Sequence, residues 1–378
     1  MQKPLKTAEL ALMRILFCTG GMAVPEMIGG SQRTAGAIIK LLSQRGHTVA
    51  LSAALGGSGF LGLTSKLQLR ILGRGFSCDR HAGYLSYRSW SPEEANSAII
   101  RHFRPDVAVI LAHRPSVIGS SVKVTGTPFV MAFQDVEIRG EVDAFKTLGH
   151  FDAVANSQFT ADRFREMLGI TSVVINPLIE EDVYKRLGKN GNAILFINPV
   201  AQKGVEKAID IAVRMPDREF IFVMAWPLNG DQRETLDNSL KNVQNVTLIP
   251  ATSDMKSVYA RGKLLLVPSQ WEEGYGRVAS EAQFAGIPVV GSNRGGLPEA
   301  IGPGGEIVPH DSPTECWMDA IEKVLSPQSY SKYCEAASTH VNRNELKNGF
   351  QIDLWETVLF RVTENKERLT NKIHPLDF

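Results

Sequence analysis

The sequence predicts an α/β protein built from two doubly wound, parallel-sheet domains, and three observations point there. Short apolar runs alternate with helix-period segments from end to end. At 378 residues the chain is longer than one hydrophobic core holds, about 250–300 residues. A polar, turn-rich stretch, Glu180 to Asn192, interrupts the alternation midway and reads as a linker.

In the first half the expected strands are Ile15 to Cys18, Thr48 to Ser52, Asp106 to Leu111, Pro128 to Phe133, Ala153 to Ala155 and Ser172 to Ile175. Ser31 to Gln44 is expected to be a helix, with Ala35, Ile38, Ile39 and Leu42 on one face, Ser31 as its N-cap and Gly46 beyond its end. In the second half the expected strands are Ala193 to Ile197, Phe220 to Met224, Thr247 to Ile249, Lys263 to Val267, Pro288 to Val290 and Glu306 to Val308. Beyond Val308 the pattern is helical to about Arg368, and the last helix carries Ile352, Trp355, Val358 and Leu359. The expected division is 1–185, 186–350 and a terminal helix, 351–378, returning to the first domain, with a cleft between the two domains.

Composition narrows the class. Hydrophobic content of 43% with 21% charged residues is that of a globular enzyme. Cys18, Cys78, Cys316 and Cys334 show no CxxC spacing, so neither a zinc site nor a disulfide framework is expected, and a reducing, cytoplasmic setting is. The N-terminal segment has no signal-peptide core, and no run approaches the roughly 20 apolar residues that span a bilayer. No Asp-x-Asp pair at a strand end and no HxxxH cluster suggests a metal.

The overall charge of +1 conceals an asymmetry, because residues 1 to 90 hold eleven Lys or Arg against three acids. Lys66, Arg70 and Arg74 recur at i, i+4, i+8 beside Leu63, Leu67, Ile71 and Leu72. One reading is scattered solvated charge; the other is a face for an anionic acceptor or an anionic membrane surface, hence peripheral contact with the inner membrane face. Only Phe76, Tyr84 and Tyr87 interleave with the cations there, so no nucleic-acid partner is expected.

The sharpest chemical signal is Glu273-Gly274-Tyr275-Gly276-Arg277-Val278-Ala279-Ser280-Glu281. It places two carboxylates eight positions apart across a glycine-rich turn, shortly after the apolar run Leu264 to Val267. A turn between a buried strand and a helix offers backbone N–H groups and the positive end of the helix dipole to phosphate. Glu281, on the second turn of that helix, can accept from ribose hydroxyls, while Glu273 stays in the loop near a sugar. Gly274 and Gly276 keep side chains out of the way of a close phosphate.

With Ala285-Gly286-Ile287-Pro288-Val289-Val290 and Gly295-Gly296-Leu297-Pro298-Glu299, this motif resembles retaining glycosyltransferase family four, whose members have the GT-B fold of two Rossmann-like domains. The resemblance is strong over residues 193 to 325 and looser over 14 to 180. It implies that Glu273 contacts donor-sugar hydroxyls, that the backbone around Tyr275, Gly276, Arg277 and Val278 meets the diphosphate, and that Glu281 holds the ribose. In Phe196-Ile197-Asn198-Pro199-Val200-Ala201-Gln202-Lys203-Gly204, Lys203-Gly204 matches the family and implies phosphate neutralisation, whereas Asn198-Pro199 stands where Gly-Arg is usual. Arg277 is the candidate to cover the missing arginine.

The resemblance extends to Gly29-Gly30, a loop whose backbone approaches donor phosphate and acceptor, and to Gln134, which stands where many relatives carry a histidine. Glutamine positions by hydrogen bonding but cannot titrate. His113 is a further strand-end polar group assigned to the acceptor. The implied reaction moves a sugar with retention, by a front-face path, from a nucleoside diphosphate sugar (a UDP-sugar, with a GDP-sugar as the alternative) to a glycan, lipid-linked or small-molecule acceptor, without metal or cofactor. Two other readings stay open: a nucleotide-sugar epimerase or hydrolase on the same fold, and a catalytically degenerate nucleotide-sugar-binding protein, suggested by Pro199 and Gln134 together.

Overall fold

The structure, a computed structural model, describes residues 11–137, 141–184, 191–226, 228–252 and 254–372, with side chains to 364. The charged N-terminal residues Lys3, Lys6 and Glu9 and the middle of the expected linker, 185–190, lie outside the described residues. The chain divides into two compact units, one formed by Met1–Leu178 with Asn348–Phe378 and the other by Ile179–Lys347.

The first unit contains β1 (Arg14–Met22), β2 (Thr48–Ala54), β3 (Ser77–Asp79), β4 (Leu85–Ser89), β5 (Val107–Ile110), β6 (Phe129–Phe133), β7 (Asp152–Ala155) and β8 (Ser172–Val174). They form one sheet in the order β3-β4-β2-β1-β5-β6-β7-β8, parallel except for β3 against β4. Strand β1 shows why the run Ile-Leu-Phe-Cys is apolar at every position. Ile15 and Phe17 enter a core with Ala35, Ile38 and Leu42, while Leu16 and Cys18 enter the opposite core with Ile99, Phe103 and Ile118. A parallel sheet covered by helices on both faces demands this, since successive side chains alternate between faces.

The first helix, α1 (Gly30–Gln44), begins one residue earlier than the sequence suggests. Gly29, not Ser31, is its N-cap, and no side chain caps it; Ser31 lies within the helix and donates to Gln32. The next helix, α2 (Gly59–Leu72), ends at Gly73 in the left-handed conformation, so Arg74 falls outside it and breaks the expected i, i+4, i+8 series. Arg74 instead donates to the Phe76 carbonyl and the Cys78 sulfur and lies over the Phe76 ring. The strand pair β3 and β4 is absent from the sequence-based reading, which took this stretch for basic surface. Its concealment has a physical cause: Arg88 on β4 is fully buried, paired with Asp79 at 2.9 Å and Glu26 at 3.5 Å, so its charge is internal to the fold.

The second unit contains β9 (Ala193–Ile197), β10 (Phe220–Val223), β11 (Val246–Ile249), β12 (Gly262–Val267), β13 (Val289–Ser292) and β14 (Gly305–Val308), in the all-parallel order β11-β10-β9-β12-β13-β14. The same alternation recurs, with Leu195 and Ile197 packing toward Tyr259, Ala279 and Leu297, and Ile194 and Phe196 toward Ala208, Ile211 and Trp317.

The terminal helix Asn348–Lys372 belongs to the first unit. Ile352, Trp355, Val358 and Leu359 join the α1 core, and Glu356 accepts from Arg45 at 2.8 Å and lies 3.1 Å from the buried His47.

Candidate active site

In doubly wound sheets, ligands bind beyond the carboxyl ends of the strands where the strand order reverses. In the second unit that point lies between β9 and β12. There a small pocket is lined by Phe196, Asn198, Lys203, Val267, Glu273 and Val278, among others. The topology therefore brings the two principal sequence-predicted groups, Lys203 and Glu273, into one site.

The two touch directly. Lys203 Nζ donates to Glu273 Oε1 at 2.5 Å, and Ser269 Oγ donates to the same oxygen at 2.7 Å. Both charged side chains are nearly buried, 12% and 10% exposed, so the pair is little screened. Among the described residues both of these hydrogen bonds go to Glu273 Oε1 and neither to Oε2. Lys203 ends a short 3-10 turn, Ala201–Lys203, and Gly204 closes it with φ +80° because a Cβ there would lie 2.0 Å from the Pro268 carbonyl oxygen.

Two residues absent from the sequence-based reading complete the lysine's surroundings. Trp226 and Trp271 present their rings to Lys203 Nζ at 5.2 and 4.8 Å, and the two indoles meet edge to face. Their signal was available in their placement, just after β10 and β12, at the carboxyl edge where a doubly wound sheet keeps its ligands.

Asn198 lies directly after β9, buried, with φ +68°. Asparagine is among the few residues other than glycine that accept this conformation. Its Oδ1 is buried without a hydrogen-bond partner, a costly state that a donor group on a ligand would relieve.

The glycine-rich turn leads into the helix Arg277–Phe284, whose N-cap is Gly276 at φ +96°. A side chain on Gly276 would be strained by that φ, and its Cβ would also meet Leu297 at 2.4 Å. Gly295 and Gly296 act similarly: their Cβ atoms would lie 2.1 Å from the Glu273 oxygen and 2.6 Å from the Gly274 oxygen. The Gly-Gly pair thus lets the loop after β13 rest on the Glu273 backbone, and Gly296 N–H donates to Glu273 O at 2.8 Å.

Arg277 is not the open cation the sequence suggested. Its Nε donates to Glu281 Oε1 at 2.8 Å, and the carboxylate raises its pKa against the opposing effect of burial. Tyr259 donates to Glu281 Oε2 at 3.1 Å; burial first, then the carboxylate, hold that phenol protonated, well above the usual tyrosine range. Glu281 is therefore a fixed carboxylate with lone pairs to spare, since each oxygen accepts more than one bond. Tyr275 points inward, bonded to Ser280 at 3.1 Å, and contributes backbone only.

The first unit has its own reversal point, between β1 and β5. A small pocket there is lined by Thr19, Ser31, Gln32, His113 and Gln134, among others, near the uncapped start of α1 at Gly29 and Gly30. His113 and Arg114 adopt successive left-handed conformations, φ +68° and +57°, and Gly20 N–H donates to the His113 carbonyl at 3.1 Å. Gln134 Oε1 is buried without a hydrogen-bond partner. Among the described residues no group of three or more His, Cys, Asp or Glu could hold a metal ion.

The residues that define the second site coincide with a known sequence family. Residues 180–341 match the family described as Glycosyl transferases group 1. A D-inositol 3-phosphate glycosyltransferase of Saccharomonospora viridis is 40% identical over 94 residues, 24% of this chain and 21% of that protein. The chain spans less than half the length of the curated relatives it matches. A glycosyltransferase from Rickettsia africae shares the fold with a TM-score of 0.73 at 17% identity, over 94% of this chain and 99% of that one. Anabaena HepE in complex with UDP-glucose does so with a TM-score of 0.68 at 17% identity, over 96% of this chain and all (100%) of that one. The fold is thus that of GT-B glycosyltransferases, two open parallel-sheet α/β domains.

Proposed function

We propose that the protein is a retaining glycosyltransferase that takes a hexosyl group from a nucleoside diphosphate sugar, a UDP-sugar in the first instance, without a metal. The observation that carries this reading is the Lys203–Glu273 pair at the β9/β12 reversal point, beside the start of the helix Arg277–Phe284. The match to Glycosyl transferases group 1 over that region and the UDP-glucose bound by the structural neighbour HepE support it.

In this reading Lys203 and the helix start receive the diphosphate, Glu273 Oε2 accepts from sugar hydroxyls, and Glu281, held by Arg277 and Tyr259, takes the ribose. As the anomeric bond breaks, charge grows on the departing phosphate, where a pre-positioned ammonium and backbone dipoles stabilise it most. The departing oxygen removes the acceptor's proton from the same face. We assign His113 to the acceptor, Gln134 to positioning the donor sugar by hydrogen bonding rather than by titration, and the Gly29-Gly30 backbone to the donor phosphate. The acceptor is a glycan, lipid-linked or small molecule, and we place the enzyme in the cytoplasm with its basic N-terminal half toward an anionic membrane face.

Thermal-shift screening of the purified chain against UDP, GDP, ADP and dTDP and their sugars tests the reading, because a ligand of the folded state raises the melting temperature. A rise with a UDP-sugar, followed by slow release of UDP, is expected. No shift with any nucleotide sugar would overturn it, and conversion of the sugar without release of UDP would replace it with an epimerase.

A further inference from the structure

The helix α2 is built inside out. Its buried face consists of Leu61, Gly62 and Ser65, narrow and mostly small, with Gln68 bonded to the Cys78 backbone. Its outer face carries Phe60, Leu63, Leu67 and Ile71, which are 71%, 67%, 58% and 70% exposed. At 100° per residue these four fall within an arc of about 80°. Soluble proteins scatter exposed apolar side chains singly, and a contiguous stripe marks an interaction surface.

The chemistry beside the stripe identifies the partner. Lys66 and Arg70 flank it on one side, both exposed, with no ion-pair partner among the described residues. The helix Gly59–Leu72 contains no acidic residue. Arg80 extends the cationic border, the His81 ring lies edge-on to Phe60, and the exposed Trp90 lies beneath Lys66 Nζ at 6.0 Å. Apolar residues edged by lysine, arginine and tryptophan match the boundary between acyl chains and anionic headgroups. No helix among the described residues is long and apolar enough to cross a membrane, so the fitting geometry is a helix lying in the surface.

We propose that α2 docks the protein on an anionic lipid bilayer, with Phe60, Leu63, Leu67 and Ile71 inserted at the headgroup boundary and Lys66 and Arg70 on the phosphates. This gives the membrane contact of the proposed function its surface, and it needs no donor chemistry.

Flotation of the full chain with vesicles of phosphatidylcholine, with or without phosphatidylglycerol, tests it. Binding is expected only to the anionic vesicles and is expected to weaken as salt rises. Leu67→Asp with Ile71→Asp, and separately Lys66→Glu with Arg70→Glu, should each lower partitioning on the order of tenfold. Melting temperature and the UDP-sugar shift should stay as in the wild type, which separates this proposal from the catalytic reading. Absence of wild-type binding, equal binding by either double variant, or sedimentation showing that the stripe is covered by a second copy would overturn it.

Discussion

Lys203 donates to Glu273 over 2.5 Å while Trp226 and Trp271 face the same ammonium, so the group assigned to phosphate and the group assigned to sugar neutralise one another. In the proposed function a diphosphate would compete with Glu273 for the lysine and thereby free the carboxylate for hydroxyls. Glu273→Gln should therefore bind UDP as tightly as the wild type or more so, while turnover falls by roughly a hundredfold. Calorimetry with UDP is decisive: weakening equal to that of Lys203→Ala would mean that the pair acts only as a structural unit.

Lys203→Ala should lose turnover by roughly a hundredfold or more and keep its melting temperature within a few degrees. It leaves Glu273 with Ser269 as its remaining hydrogen-bond donor, so its nucleotide affinity should fall as well. Single-turnover rates measured at saturating donor separate the two effects.

Asn198 combines a left-handed backbone with an unpartnered oxygen. Asn198→Val should destabilise by about 1–2 kcal/mol, because a β-branched residue is strained at positive φ. Asn198→Gly should remain close to wild-type stability yet show a smaller UDP-sugar thermal shift. Equal ligand shifts in Asn198→Gly and wild type would remove the oxygen from the site.

Gly295 and Gly286 both have positive φ, +60° and +73°, but only Gly295 is crowded by backbone. Gly286→Ala should cost about 1 kcal/mol from conformation alone. Gly295→Ala should cost more and also abolish the nucleotide shift, because its Cβ would displace Glu273. Equal melting temperatures for the two variants would contradict this.

His340 is held below the usual histidine range, first by burial and then by Arg343, and lies 3.2 Å from the Glu299 carbonyl. The folded chain takes up this proton less readily than the unfolded one, so the stabilisation is complete above about pH 6.5 and is lost as pH falls through the folded-state value. His340→Gln should lose less melting temperature than the wild type between neutral and mildly acidic buffer. A parallel decline in both proteins would mean that another group governs acid sensitivity.

Much of the site was legible because its parts are local. The glycines, Glu273 and Glu281 lie within one strand-turn-helix segment, and Lys203 follows a strand whose apolar run is unmistakable. Trp226 and Trp271 were missed because their convergence on Lys203 depends on β10, β9 and β12 being neighbours, an adjacency between segments distant in sequence. The Arg277 ion pair was missed for a related reason: i, i+4 spacing to Glu281 was in plain view, but only burial turns that spacing into a close pair.

The sequence by itself determined the α/β alternation, twelve of the fourteen described strands and the glycine-rich turn, since these follow from period-2 burial, apolar runs and backbone freedom over a few residues. The tertiary structure alone decided that Arg88 is internal, that β3 and β4 pair, that Gly295 and Gly296 support Glu273, and that α2 turns Leu63 and Leu67 outward. Those outcomes depend on what each side chain meets across the fold, and burial and charge pairing are properties of neighbours brought together in space.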